Sequence, residues 1–353
     1  MRCSAADHWL VRYVDDQTNM TGAERLSPRT IATYQHKIQL FLHWWKSYHP
    51  EQPLTKDLAT IYQAWLKAEQ NASEQSERFS TRSYGLYLSG MRRWGAYLVT
   101  QQILPFNPFR SIRGPKRMNS HASGFLHRAQ ADQLLQSFDR TYLIEHRDYV
   151  ICLLMLKTGA RETELCQAVV GDRRTYKGQV ELYLNSKGKK KEDHKREPVP
   201  LTPAVANDVQ AYLNHRKRLG EPLTEDSPLL ATIREGRGAQ NGHMQDHEMR
   251  RRIKLALQRA GFPHQGLTGL ALRHTAAIQA FLDDIPFEKV QILMRHADKR
   301  TTKIFERQAN GIRERRIRRR TKNHGCRTSR RRHKVISLNS ASVQPATNNF
   351  PYR

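Results

Sequence analysis

Arg161 and Arg273 are the residues whose type and setting point most directly to chemistry. Arg161 follows Thr158-Gly159-Ala160 and opens a helical stretch that continues Glu162-Thr163-Glu164-Leu165. A cation at a helix start opposes the positive end of the macrodipole, so its presence there calls for another reason. Gly159 permits the sharp turn that brings Arg161 to the mouth of a pocket. Arg273 lies in Leu272-Arg273-His274-Thr275 at a second helix start, ahead of His296, the pair Thr301-Thr302 and Phe305. Arginine suits a phosphate because its planar fork donates two parallel hydrogen bonds to the oxygens. Singly, these residues have plainer explanations: a surface arginine, an ordinary helix start, a turn histidine. Their order along the chain is what carries information.

The elements that must position them are mostly helical. From Trp9 to about Arg110 the pattern predicts a bundle of about four helices, with loops near 21–27, 49–54 and 71–79. Ser27-Pro28 is a good helix entry, because serine caps orphan amides and proline is pre-set for the first turn. Ile31, Tyr34, Ile38, Phe41, Leu42 and Trp45 then recur at three- and four-residue steps, giving one apolar face. Residues 111–124 read as a basic linker. Beyond it, helices are predicted over 128–137, 146–157, 204–219 and 248–260, with strands at 179–184 and 196–201. The segment 146–157 is apolar almost all round and therefore predicted to be buried. Residues 235–242 read as a flexible loop, 307–320 as a basic helix and 321–353 as a disordered polybasic tail.

Sixty Lys and Arg against 33 Asp and Glu give the 353-residue chain a formal net charge of +27. Such a field attracts polyanions, nucleic acid above all. Basic and aromatic residues interleave in the first segment, and Arg29, Lys37, Arg82, Arg92 and Arg93 are candidate DNA contacts there. In the helix over 248–260 the candidates are Arg250, Arg251 and Lys254, placed to lie along a phosphate backbone. Four cysteines far apart argue against a disulfide framework or a zinc site. No apolar run approaches bilayer length and no signal pattern opens the chain, which points to the cytoplasm and the nucleoid.

The order Thr-Gly-x-Arg-x-x-Glu-Leu at 158–165, Leu-Arg-His-Thr at 272–275, a Leu-Gly-His-like turn ending at His296, and Thr-Thr at 301–302 resembles the catalytic domain of the tyrosine recombinases, the phage integrase family. Residues 9–117, with a Ser-Pro-x-Thr entry and a closing Asn107-Pro108, are similar to that family's core-binding domain. The resemblance implies a mainly α fold with a small β-sheet (α+β): a helical DNA-binding domain over 1–110, the linker, a catalytic-type domain over 125–320, and the tail. By resemblance Arg161 and Arg273 hold the scissile phosphate, Glu164 is a structural companion, His296 bonds the phosphate or nucleophile, and Lys187 is the acid. Lys189, Lys190 and Lys191 share the lysine-rich loop and compete for that last role.

Two positions depart from the pattern. The family's histidine three residues before the second arginine is Leu270 here, and His274, adjacent to Arg273, points to a different helical face. The family's nucleophilic tyrosine is Phe305, whose ring cannot attack phosphorus. The resemblance therefore implies a DNA-binding, integrase-like recombinase of a mobile element, cleavage-defective at the phosphotyrosine step. An alternative is an active integrase with another nucleophile, Tyr352 being the tyrosine downstream of Phe305. Another is a transcriptional or architectural regulator, with 285–305 read as a helix-turn-helix. The implied partners are double-stranded DNA and, in a synaptic complex, a second copy or a related active recombinase. No cofactor, metal or membrane is implied.

Overall fold

A computed structural model describes residues 1–22, 25–72, 81–114, 124–185, 196–234, 238–262 and 266–328. The chain divides into two units, Met1–Ser120 and His121–Arg353. The first is built from α1 (Ala6–Asn19), α2 (Pro28–Tyr48), α3 (Lys56–Ala72) and α4 (Thr81–Thr100). Ser27 caps α2 by accepting from the Thr30 amide at 3.2 Å, with Pro28 in the first turn. The apolar face of α2 is buried as the periodicity predicts. Phe41 is its centre, packed edge-on against Tyr62 at 4.8 Å and Phe109 at 5.5 Å between ring centroids. Asn107 closes this unit, donating to the Arg92 carbonyl at 2.9 Å and accepting from the Phe109 amide at 3.0 Å. A Cβ at Gly95 would lie 2.3 Å from the Asn107 Oδ1, so a larger residue there would displace the Asn107 amide from its bonds.

The second unit is α+β. Its helices are α5 (Arg128–Gln136), α6 (Leu143–Thr158), α7 (Glu162–Cys166), α8 (Pro203–Arg218), α9 (Asp246–Arg259), α10 (Gly269–Leu282), α11 (Phe287–Leu293) and α12 (Lys299–Thr328). Strands β1 (Arg173–Tyr176), β2 (Gln179–Asn185) and β3 (Arg196–Pro200) form an antiparallel sheet in sequence order. Leu182 of β2 stands opposite Arg173 on one side and Val199 on the other. A separate hairpin pairs β4 (Ala231–Arg234) with β5 (Gly238–His243). Helix α6 is buried over nearly its whole length, as its all-round apolar pattern predicts. Its charged pair Arg147 and Asp148 is tolerated there because Arg147 Nη2 reaches Asp148 at 2.9 Å and Arg252 Nε reaches the same carboxylate at 2.6 Å.

Two expectations are corrected, and one element is new. The stretch read as a loop over 235–242 contributes β5 from Gly238 onward, because backbone pairing with β4 makes a strand without apolar alternation. Strand β1 was not anticipated. The disordered tail does not begin at 321: α12 runs as one helix from Lys299 through Phe305 to Thr328. Arginine is a good helix former, so this cation-rich stretch stays helical with no apolar stripe to signal it.

Candidate functional site

Three helix starts and one turn within the second unit build the site. Helix α6 ends at Gly159, whose φ of 60° is left-handed, and the chain turns into α7 with Arg161 as its N-cap. Glu164 reaches back to accept the Arg161 amide at 2.9 Å through Oε2, and its Oε1 takes Arg161 Nη1. This is half of a capping box, and it fixes the base of the arginine while the side chain stays 22% exposed. Arg273, on α10, is buried and donates Nη1 to the Gly159 carbonyl and Nη2 to the Met294 carbonyl. Burial, with the charges of Arg161 and Arg295 beside it, lowers its pKa to about 9.

The turn after α11 brings in Arg295 and His296. Arg295 has a φ of 49° and buries its guanidinium, giving Nη2 to Glu164 Oε2 at 2.7 Å and to the Gly159 carbonyl at 3.2 Å. Its Nη1 donates to the Leu293 carbonyl at 2.9 Å and the Thr158 carbonyl at 3.4 Å. Against these guanidinium groups Glu164 stays ionised: burial works to raise its pKa, but Arg295 and Arg161 outweigh it and hold the carboxyl below its usual value. His296 Nδ1 lies 3.0 Å from the buried Thr302 hydroxyl. Burial, reinforced by Arg273, Arg161 and Arg295, pushes its pKa down to about 3, so the ring is neutral at pH 7. With Thr302 as donor to Nδ1, the Nε2 atom carries the proton and is a donor itself.

Phe305 closes this cluster. It is buried, with its ring stacked on His296 at 5.9 Å and 14°, and tilted against His274 at 4.9 Å. Although it neighbours Arg273 at i+1, His274 is buried in the pocket wall against Phe305. Leu270, one turn before Arg273, is 42% exposed. The structure thus brings Arg161, Arg273, His296 and Phe305 together, and adds Arg295, which the sequence did not single out. Its signal was slight: an arginine beside a turn histidine. Lys187 and the other loop lysines, Lys189, Lys190 and Lys191, lie outside the described residues. Among the described residues no cluster of three or more His, Cys, Asp or Glu can hold a metal, and no helix is long and apolar enough to cross a membrane. Chemically, the arrangement can hold an oxyanion by arginine donors and a neutral imidazole in a low-dielectric wall.

The candidate DNA contacts divide by environment. Arg250, Arg251 and Lys254 are exposed on α9, whereas Arg252 on the same helix turns inward to Asp148. Arg29 is exposed on α2, Arg93 is half-buried on α4, and Arg82 lies in the first turn of α4. Lys37 is half-buried, with its Nζ 4.3 Å from the centre of the Tyr87 ring. Arg92 corrects its expectation: Nε donates to the Phe109 carbonyl at 3.4 Å and Nη2 to the Ile112 carbonyl, so its fork holds the closing loop of its own unit.

Known proteins are similar to this chain in sequence and in fold. Tyrosine recombinase XerD of Shewanella oneidensis is 26% identical over 293 residues, covering 83% of this chain and 89% of that protein. Tyrosine recombinase XerC of Haemophilus ducreyi is 25% identical over 286 residues, covering 80% and 84%. Among solved structures, the XerH site-specific recombinase bound to palindromic difH substrate, a post-cleavage complex, superposes with a TM-score of 0.68 at 13% identity, over 88% of this chain and 94% of that one. A lambda integrase dimer bound to a COC′ core site gives a TM-score of 0.61 at 16% identity, over 85% and 76%. The profile of the phage integrase family matches residues 124–311, more than half of the chain and all of the site described above, and the chain belongs to that family, the tyrosine recombinases.

Proposed function

We propose that this chain is the DNA-binding recombinase of a mobile element, able to grip a phosphodiester but not to form the phosphotyrosine intermediate. Arg161 and Arg273 hold the phosphate, His296 donates to it through Nε2, and a lysine of the 185–195 loop, Lys187 first, serves the leaving 5′-oxygen. The helical unit over 1–110 binds the duplex, and the partners are double-stranded DNA and a second recombinase copy. The mobile-element setting is supported by likeness to lambda integrase and to a transposon integrase solved with transposon right end DNA. The observation that carries the reading is Phe305: its ring packs against His274 and against His296, the imidazole that both arginines influence, with no hydroxyl to attack phosphorus.

A nicked suicide duplex drawn from the DNA flanking the gene tests this. The unmodified protein should bind it and form no covalent adduct. Phe305→Tyr should form one, because the ring is already in position and proximity supplies on the order of 7 kcal/mol or more of the barrier reduction. Leu270→His with Phe305→Tyr should be faster, since a missing donor at such a site costs about 10²-fold or more in rate. An adduct on the unmodified chain, or none on the double variant despite normal binding, overturns the proposal.

A further inference from the structure

We propose that Arg295 is a positioning residue that keeps Arg161 available to phosphate by sharing the charge of Glu164, an inference that rests on the phosphate-pocket reading above. The geometry begins with the backbone. Position 295 has a φ of 49°, a left-handed conformation that favours glycine, and yet the residue is an arginine. Its side chain is 2% exposed, so it touches no ligand from solvent. What it touches instead is the frame of the site. It bonds the Thr158 and Gly159 carbonyls that precede Arg161, the Leu293 carbonyl that precedes His296, and the carboxylate of Glu164.

Glu164 is shared by Arg161 and Arg295. One carboxylate oxygen takes Arg161 Nη1, and the other takes the Arg161 amide and Arg295 Nη2. The carboxylate is 3% exposed and so depends on these donors. With Arg295 in place, its charge is matched from the inner side, and Arg161 needs to give it only one side-chain hydrogen bond. Without Arg295, the buried carboxylate has Arg161 as its remaining ion-pair partner. A buried charge that loses one partner draws the other in, and an arginine fork answers with a bidentate grip. Arg161 would then turn from the pocket mouth towards Glu164. Arg273 does not replace this function, since it contacts the Gly159 and Met294 carbonyls and not Glu164.

The test uses the salt dependence of duplex DNA binding by the full chain, measured with one mixed-sequence duplex. Each phosphate contact contributes roughly 0.9 to the slope of log K against log salt. Arg161→Ala should lower the slope by about 0.9. Arg295→Gly, which eases the backbone, should lower it by a similar amount although the side chain reaches no phosphate. The double variant should lose no more than Arg161→Ala alone. Arg295→Lys, which keeps the charge, should retain most of the slope. Arg295→Met fills the volume without charge and stands in if the glycine variant does not fold. A merely structural arginine would lower the melting temperature and leave the slope unchanged, which overturns this inference, as does full additivity in the double variant. An unchanged slope in Arg161→Ala sinks the phosphate-pocket reading itself, a separate outcome.

Discussion

Buried histidines set how single residues of this chain answer to acid. His296 is held near pKa 3 and His146 near 4, each first by burial; around His146 the charges of His215, Arg140 and Arg218 add to the effect, and Asp208 opposes it. An unfolded histidine titrates at about 6.5. Between about 6.5 and these depressed values the unfolded chain takes up protons that the folded chain refuses. Their contribution to stability is therefore complete above about pH 6.5 and is lost as pH falls. Glu164 adds a loss of the same sign only below the ordinary carboxylate range, because its folded pKa is depressed too. The midpoint of urea denaturation should drop steadily from pH 7 to 5, and a His146→Gln, His296→Gln double variant should show a flatter profile. A level profile in the unmodified chain would contradict the account. At this scale Arg161, Arg273 and His296 were legible because their motifs fix residue type and order together. Arg295 was not, because apart from the nearby Leu293 carbonyl its acceptors lie in the turn at 158–159 and in α7, far away in sequence. Arg92 was misread for the same reason: nothing local to its helix announces that the Phe109 and Ile112 carbonyls will fold back over it.

At the scale of elements, the site depends on how tightly the α6–α7 turn packs against the end of α11. Gly159 is the contact point: a Cβ there would lie 2.6 Å from the Met294 sulfur, and the backbone is left-handed at φ 60°. An L-residue in that conformation costs about 1–2 kcal/mol before any clash. Gly178 offers the control, with φ 80° and nothing within 4 Å of an added Cβ. Gly159→Ala should lower the unfolding free energy by more than Gly178→Ala, and the difference reports the displaced Met294. Equal losses in urea titrations would mean that the turn has room and is not a clamp. The entry to α2 was readable because Ser27-Pro28 carries the capping chemistry locally, and that cap forms at 3.2 Å; the Thr202 cap of α8, at 3.4 Å, went unread. The β4–β5 hairpin was not readable, since Gly238, Ala239, Gln240, Asn241 and Gly242 carry no alternation and become a strand only through the partner strand. Helix α12 was truncated in the reading because a run of cations without an apolar stripe has the composition of a tail.

For the whole molecule, a net charge of +27 says that polyanions will be attracted but not which cations meet them. Environment makes the distinction. Arg251 and Lys254 are exposed on α9, and neutralising one phosphate each would give each a share of roughly 0.9 in the salt slope of DNA binding. Arg92 is equally charged but directs its Nε and Nη2 at the Phe109 and Ile112 carbonyls. Hydrogen bonds from a charged donor contribute about 1.5–3 kcal/mol to stability, and that is where its loss should register. Arg251→Ala and Lys254→Ala should therefore each lower the slope, near-additively when combined, with little change in melting temperature. Arg92→Ala should do the reverse, lowering the stability of the helical unit and leaving the slope of the folded protein as it was. A single titration series over salt, read beside thermal melts of the same variants, separates the two classes. If Arg92→Ala reduces the slope while the α9 variants do not, the duplex lies against the first unit at that point and not along α9, and the division of cations by burial fails.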